Sequence, residues 1–143
     1  MAGKVNWHGD RVRRQIEAEM GRRLKACGQV GKDHAKTLVS VDGTAKRSGG
    51  SRDSKGRFLK GLIYNVNPSK PGEPPHVQTG RLRASVAYEV DGQVARIGTN
   101  VIYARHLELG TSRMAARPWL RRMLVEMTPT FRAILTAPIK GGR

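Results

Sequence analysis

The sequence is short of cysteine, aromatic and acidic residues, and each shortage narrows the class of protein. Cys27 is the only cysteine, so an intrachain disulfide and a cysteine-rich zinc site are excluded. Aromatic residues make up 5% of the chain, too few for a platform on which single-stranded nucleic acid stacks its bases. Acidic residues number 11 against 27 lysines and arginines, which leaves a net charge of +16. A charge of this size indicates that the protein works with a partner.

Long apolar runs are also missing. No stretch approaches the roughly 18 apolar residues that cross a bilayer, and residues 1–10 contain no apolar segment of the secretory type. We therefore expect a protein of the cytoplasm with no membrane partner. The length of 143 residues fits one domain, 1–143, built on a single core.

Catalytic and metal-binding motifs are absent as well. There is no Gly-x-Ser-x-Gly nucleophile elbow, and the glycine spacing of residues 28–32 is wrong for a phosphate-binding loop. The four histidines lack the spacing of a helical zinc site. We expect no enzyme activity, no cofactor and no metal, and we expect Cys27 to be a buried, unreactive thiol on a helix.

Residues 10–41 have the apolar periodicity of one long amphipathic helix. Apolar side chains recur at spacings of three, four or multiples of these, and they are Val12, Ile16, Met20, Leu24, Cys27, Ala35 and Leu38. Asp10 is a candidate N-cap, and Gly28 and Gly31 are candidate bends because each costs about 1 kcal/mol relative to alanine. The basic residues expected to lie solvated on the opposite face are Arg13, Arg14, Arg22, Arg23 and Lys25.

Two segments are rich in residues that disfavour regular structure. Residues 43–61 are mostly glycine, serine and basic residues, so we expect a flexible basic loop. Its candidate contacts with a partner are Lys46, Arg47, Arg52, Lys55, Arg57 and Lys60. Residues 68–78 are proline-rich and predict an extended, semi-rigid segment.

A β-hairpin is predicted around Asp91-Gly92, a dipeptide that favours two-residue turns. Pairing outward from this turn sets Val90 opposite Gln93 and continues in steps along both strands. The apolar side chains then share one face of the hairpin. Such a face must be covered by a helix.

The rest of the chain predicts two more helical segments. Residues 101–111 predict a short extended piece and then a helical turn that stops at Gly110. The last helix is predicted to begin at Pro118, with Pro129 placed to kink its solvent face. Its apolar stripe is Leu120, Met123, Leu124, Met127, Phe131, Ile134 and Leu135. The predicted fold is therefore α+β, a small antiparallel sheet with a long N-terminal helix and a kinked C-terminal helix.

From residue 68 onward the chain contains a distinctive order of sequence blocks. The blocks are PSKPGEPP, QTGRLRASV, the hairpin, YARHLELGT and RPWLRRML. In this order they resemble the tail-completion, or minor tail component, family of long-tailed double-stranded DNA phages. The matching stretch covers residues 68–124, about two-fifths of the chain. Trp119 stands where the family more often has phenylalanine.

The resemblance implies a structural virion protein of the phage neck or proximal tail that acts in tail completion and head–tail joining. It implies a ring of copies of this chain on the tail axis, neighbouring neck and tail proteins as partners, and assembly in the bacterial cytoplasm. It also implies no catalysis and no cofactor. The candidate subunit or partner contacts within the matching blocks are Arg81, Arg83, Tyr103, Glu108 and Arg117.

Physical roles follow for several residues of these blocks. Thr79-Gly80 is expected to form a cap or turn that leaves Leu82 inward and the flanking arginines outward. Gly110 is expected to have a positive φ. Glu108 is expected to accept hydrogen bonds from the backbone or an arginine near the turn that follows. Each of these residues has two alternative roles, holding the fold and making a subunit contact.

A second interpretation is a small basic nucleic-acid-binding protein, which the charge and the basic loop favour. In a phage neck, the same loop has two alternative targets. One is the acidic face of a neighbouring protein, and the other is nonspecific contact with DNA in the axial channel. The scarcity of aromatic residues favours the structural virion protein over the nucleic-acid binder.

Overall fold

The computed structural model describes residues 9–41, 55, 69–77 and 79–139. Within these residues the chain forms four helices and one two-stranded antiparallel sheet, which confirms the predicted α+β class. In chain order the elements are α1 (Gly9–Leu38), α2 (Arg81–Ser85), β1 (Ala87–Asp91), β2 (Val94–Gly98), α3 (Tyr103–Leu109) and α4 (Leu120–Thr136). α1 packs against both strands and against α4.

The core contains Trp119, whose side chain is completely buried just before α4. The other buried side chains of this cluster come from all four helices and the segments between them. They are Ala35, Val39, Leu82, Val86, Val101, Ala104 and Met123. One core therefore holds the described elements together, and burial of its apolar surface is the main stabilising term.

α1 is longer than the core that it covers. Its 30 residues span about 45 Å, and its buried residues begin only at Cys27. Val12, Ile16 and Met20 are 48%, 42% and 40% exposed. The predicted apolar stripe is therefore largely exposed over the first half of the helix, because periodicity defines an apolar face but not what covers it.

The hairpin confirms the predicted faces but has a different register. Val90 pairs with Ala95 rather than with Gln93, so the two-residue loop is Gly92-Gln93. Gly92 has φ 55°, and none of the described non-glycine residues has a positive φ. A type I′ turn centred on Asp91-Gly92 requires positive φ at both residues, whereas the observed loop requires it only at the glycine. The shift of two residues keeps every side chain on its predicted face.

The apolar face of the hairpin lies directly on α1 at two glycines. A methyl group at Gly28 would overlap the ring of Tyr88, and one at Gly31 would lie 2.5 Å from Ile97 Cδ1. Lys32 Nζ lies 5.4 Å from the centroid of the same tyrosine ring, within the range of a cation–π contact. α1 continues through both glycines as one helix. Their role is close contact with the sheet rather than the bend predicted from sequence.

α4 begins two residues later than predicted. Pro118 precedes the helix and Trp119 is its N-cap. Leu124 and Leu135 are exposed rather than part of the buried stripe, while Pro129 is exposed inside the helix, on the predicted side. The kink at this proline stays a prediction. The half-buried stripe residues that pack against the core are Leu120, Met127 and Phe131.

Polar side chains join α1 to α4. Glu126 Oε1 accepts a hydrogen bond from Arg122 Nε at 2.8 Å, and its Oε2 lies 2.7 Å from His34 Nε2 on α1. These two contacts hold the pKa of Glu126 below its usual value. Arg23 Nη1 donates to the carbonyl oxygen of Leu135 at 2.8 Å. This arginine, predicted to be solvated, instead connects α1 to the end of α4.

The predicted proline-rich segment is described over residues 69–77. Gly72 N–H donates to the carbonyl oxygen of Ala116 at 3.0 Å, and Val77 N–H donates to that of Val41 at 2.9 Å. These two bonds connect the segment to the residues after α1 and to the residues before α4. The segment therefore forms one side of the region described next.

Replacing Gly28 by alanine is expected to lower the free energy of unfolding by about 1–3 kcal/mol, because the new methyl group overlaps a packed ring. Gly21→Ala is the matched control in the same helix, since a methyl group there meets no atom within 4 Å. It should stabilise the protein by about 0.5–1 kcal/mol through helix propensity. Urea denaturation measures both effects, and equal changes in the two variants would contradict the close contact.

Candidate functional site

One pocket brings together four of the five contact residues predicted in the matching blocks, and these are Arg81, Arg83, Tyr103 and Arg117. It has a volume of about 280 Å³ and lies between the proline-rich segment, the start of α2, and α3 with the chain that follows it. Apolar parts of its wall come from Val39, Leu82 and Leu107. Polar and charged parts include Ser69, Thr79, Arg81, Arg83, Tyr103 and Arg117. We call it the arginine pocket, after its three arginines.

Arg81 and Arg83 are positioned by a tight turn into α2. Gly80 has φ 74°, in the left-handed region that favours glycine, and Arg81 N–H donates to Thr79 Oγ1 at 3.4 Å. Leu82 is buried in the core while both arginines are exposed. This placement confirms the predicted turn, with the leucine inward and the arginines outward.

Arg117 enters the pocket from the other side. Its N–H donates to the carbonyl oxygen of Leu107 at 2.7 Å, which connects it to α3. Its side chain is half-buried, and Nε is enclosed without a hydrogen-bond partner. Ser69 is only 3% exposed, and its Oγ also has no partner. Because buried polar groups normally have partners, these two side chains have unused hydrogen-bonding capacity.

The charge of the arginine pocket is positive. In the described ranges no carboxylate lines the pocket, and none pairs with Arg81, Arg83 or Arg117. Guanidinium groups present planar sets of donors that match the oxygens of a carboxylate or phosphate. Tyr103, also partly exposed, brings a hydroxyl to the same wall. The arrangement is therefore suited to binding an anion.

Glu108, the fifth predicted contact residue, lies outside the pocket and caps α4. Its Oε2 accepts hydrogen bonds from the N–H groups of Trp119 and Leu120 at 2.8 and 2.9 Å, and its Oε1 accepts one from Arg121 N–H at 2.9 Å. The first N–H groups of a helix have no partner within the helix, and a negative charge beside them is favourable. Of the two predicted types of donor, the backbone supplies all three of these bonds.

Gly110 directs the chain from α3 towards α4. It has φ 76° and ψ −179°, a conformation essentially restricted to glycine, which confirms the predicted positive φ. Its N–H donates to the carbonyl oxygen of His106 at 2.8 Å and closes α3. A Cβ at this position would lie 2.8 Å from both Ala116 N and Met114 O. The glycine therefore permits the tight path that brings Glu108 to the start of α4.

The predicted basic loop 43–61 is described only at Lys55. Lys55 is exposed in a turn. The remainder of the predicted loop 43–61 lies outside the described residues, including its other candidate contacts Lys46, Arg47, Arg52, Arg57 and Lys60. Their role stays a prediction.

Sequence reasoning missed Ser69 as part of the site. It is a single serine in the proline-rich segment, and no pattern of residue types marks it. Its burial depends on hydrogen bonds that the segment makes with distant parts of the chain. The place of Ser69 in the site therefore depends on tertiary contacts, and no local sequence pattern indicates it.

Other reactive side chains are accounted for by packing. Cys27 is buried on the inner face of α1, and burial raises the pKa of its thiol, as expected for a structural cysteine. In the part of the chain that the structure describes, no three His, Cys, Asp or Glu side chains are placed to hold a metal ion. None of the helices found there is long and apolar enough to span a membrane.

No protein-family model, curated protein or solved structure matches the chain. A function is therefore argued from three observations. They are the geometry of the arginine pocket, the charge of the chain, and the order of its sequence blocks.

Glu108→Ala is expected to lower the free energy of unfolding by about 1–2 kcal/mol, because the first turn of α4 loses its acceptor. Glu108→Gln keeps one acceptor oxygen and should cost less. Glu89→Ala, at an exposed strand position, is the matched control and should change stability by less than about 0.5 kcal/mol. Chemical denaturation measures all three, and equal stability of the two alanine variants would refute the capping role.

Proposed function

We propose that this protein is a non-enzymatic structural protein of a phage virion, which acts in tail completion and head–tail joining as one member of a ring. The arginine pocket is the observation that carries the proposal, because residues from four of the five matching blocks line it. The exposed apolar face of α1 adds independent support. The partners proposed are copies of this chain and the neighbouring neck and tail proteins.

The blocks that resemble tail-completion proteins fold as one unit. Leu82, Ala104 and Trp119 come from three different blocks and lie in the same core. Polar residues of these blocks line one pocket, and these are Arg81, Arg83, Tyr103 and Arg117. A surface formed jointly by several of the blocks supports a shared role in recognition more than separate structural roles.

A second surface supports assembly with further copies. Val12, Ile16 and Met20 follow one another at intervals of four residues, so they lie along one face of α1, and each is at least 40% exposed. Contiguous exposed apolar side chains mark interaction surfaces. In a ring, such a face packs against a different surface of the next subunit.

The alternative is a small basic nucleic-acid-binding protein, favoured by the net charge of +16. Lysines and arginines bind phosphates on an exposed surface without a shaped pocket. Arg81, Arg83 and Arg117 instead line a concave pocket whose wall is partly apolar. That shape favours contact with a protein side chain.

Charge reversal at Arg81→Glu and Arg83→Glu is expected to abolish head–tail joining in a phage complementation assay. Both side chains are exposed beside a buried leucine, so the variant should fold and the change should act on the contact surface. Circular dichroism checks the fold.

The matched control is Arg96→Glu with Arg132→Glu, two exposed arginines outside the arginine pocket that give the same change in charge. This control should join heads to tails at the level of the unaltered protein. Normal joining by the Arg81/Arg83 variant would remove the contact role from this surface.

Neutralising the basic loop distinguishes a protein partner from DNA. The substitutions replace Lys46, Arg47, Arg52, Lys55, Arg57 and Lys60 with serine or glutamine. We expect the variant to fail in joining while packaged DNA stays intact, and we expect the unaltered protein to bind random duplex only weakly at physiological salt.

A DNA-binding role predicts a different result. Duplex affinity would then fall steeply with salt, since each neutralised phosphate releases about 0.9 of a counterion, and the substitutions would abolish binding. Tight, sequence-selective duplex binding at physiological salt would assign the protein to the nucleic-acid class.

A further inference from the structure

We infer that the arginine pocket binds a carboxylate side chain of an acidic peptide segment in a neighbouring protein. The identity of that neighbour as a neck or tail protein rests on the proposed function. The chemistry of the pocket does not rest on the proposed function, because it follows from the burial, charge and shape of the pocket residues.

The inference depends mainly on Arg117. Its side chain is half-buried, its enclosed Nε has no hydrogen-bond partner, and no carboxylate among the described residues pairs with its guanidinium. An enclosed donor without an acceptor is costly, and that cost is removed when a negative group accepts its hydrogen bond. The adjacent backbone is fixed by the bond from Arg117 N–H to Leu107 O, so the side chain starts from a rigid position.

The other charged side chains strengthen the preference for an anion. Arg81 and Arg83 line the same pocket, and each is without an acidic partner in the described ranges. Cations that share one pocket repel one another, and an anion between them relieves the repulsion. Ser69 Oγ, buried and unpartnered in the same wall, adds a hydroxyl donor that has no acceptor among the described residues.

The shape of the pocket favours a peptide over a duplex. Its volume of about 280 Å³ suits one or two side chains, whereas the phosphates of a duplex lie on a convex rod too wide to enter. Val39, Leu82 and Leu107 make part of the wall apolar. A glutamate or aspartate next to an apolar residue pairs with the arginines and packs against the apolar part of the wall.

Charge complementarity commits the occupant to another protein. The chain has a net charge of +16, so an acidic segment is attracted to it from a distance, and encounter is accelerated at low salt. A second copy of this chain has 11 acidic residues against 27 lysines and arginines, so it is a poor source of such a segment. The occupant is therefore an acidic segment of a different protein.

The test uses the full chain and a fluorescein-labelled, capped peptide of alternating glutamate and leucine. Arg117→Gln is expected to weaken binding at least about tenfold, the loss that follows when a charged hydrogen bond is removed. Arg132→Gln removes the same charge on the exposed face of α4, outside the pocket, and should change binding less than about twofold. A second peptide with glutamine at every glutamate should bind at least about tenfold more weakly.

Circular dichroism and thermal unfolding check that Arg117→Gln is folded. Should that variant unfold, Arg83→Gln at the exposed rim provides the same test and is also expected to weaken binding. A folded pocket variant that binds the glutamate peptide as tightly as the unaltered protein overturns the inference.

Three further results would overturn it. One is equal binding of the glutamate and glutamine peptides, and another is displacement of the peptide by equimolar inorganic phosphate. The third is a random duplex that binds more tightly than the peptide and loses at least about tenfold in affinity with Arg117→Gln.

The proposed function fails separately. If the pocket variant loses the peptide but still joins heads to tails in the complementation assay, the pocket inference stands and the pocket has no role in head–tail joining. If the variant keeps the peptide and fails in joining, the pocket inference is overturned while the role in joining is retained.

Discussion

The sheet and α4 both reach α1 at places where the helix has no side chain. A Cβ at Gly31 would lie 2.5 Å from Ile97 Cδ1 and 3.0 Å from Phe131 Cζ, so one glycine receives a strand residue and a helix residue together. Gly28, one turn earlier, receives the ring of Tyr88. The helix pays for these glycines in propensity, by about 1 kcal/mol each, and recovers that loss through closer packing. The positions of the hairpin and α4 depend on this contact.

The arginine pocket is built on the outside of the same core. Val39 and Leu82 are buried in the core cluster and also line the pocket, and Leu107 packs against that cluster from α3. A rigid apolar base therefore supports the charged side chains above it. Sites with such a base hold their polar groups in fixed geometry, which lowers the entropy lost on binding.

The turn between α3 and α4 stabilises the start of α4 and also places one residue of the arginine pocket. Over a few residues, Glu108 caps α4, Gly110 makes the tight turn, and Arg117 returns to hydrogen-bond with α3. The cap fixes where α4 starts, and the same path delivers the guanidinium of Arg117 to the pocket. The capping role of Glu108 and the proposed contact role of Arg117 thus belong to different residues of the same turn.

Local chemistry in the sequence determined the elements and the glycine turns. The 3.6-residue period identified α1, the two-residue period identified the two faces of the hairpin, and a positive φ at Gly110 followed from its position after a helix. The sequence also indicated part of the arginine pocket, since its three arginines were candidate contact residues in the matching blocks.

Only the tertiary structure decided how these elements meet. The hairpin register depended on which of Asp91 and Gly92 had to adopt a positive φ, and the burial of α1 depended on how far its partners extend along it. The separation of Glu108 from the arginine pocket and the inclusion of Ser69 in it also came from long-range contacts. Sequence periods specify which face of an element is apolar, but packing in three dimensions determines which residues become neighbours.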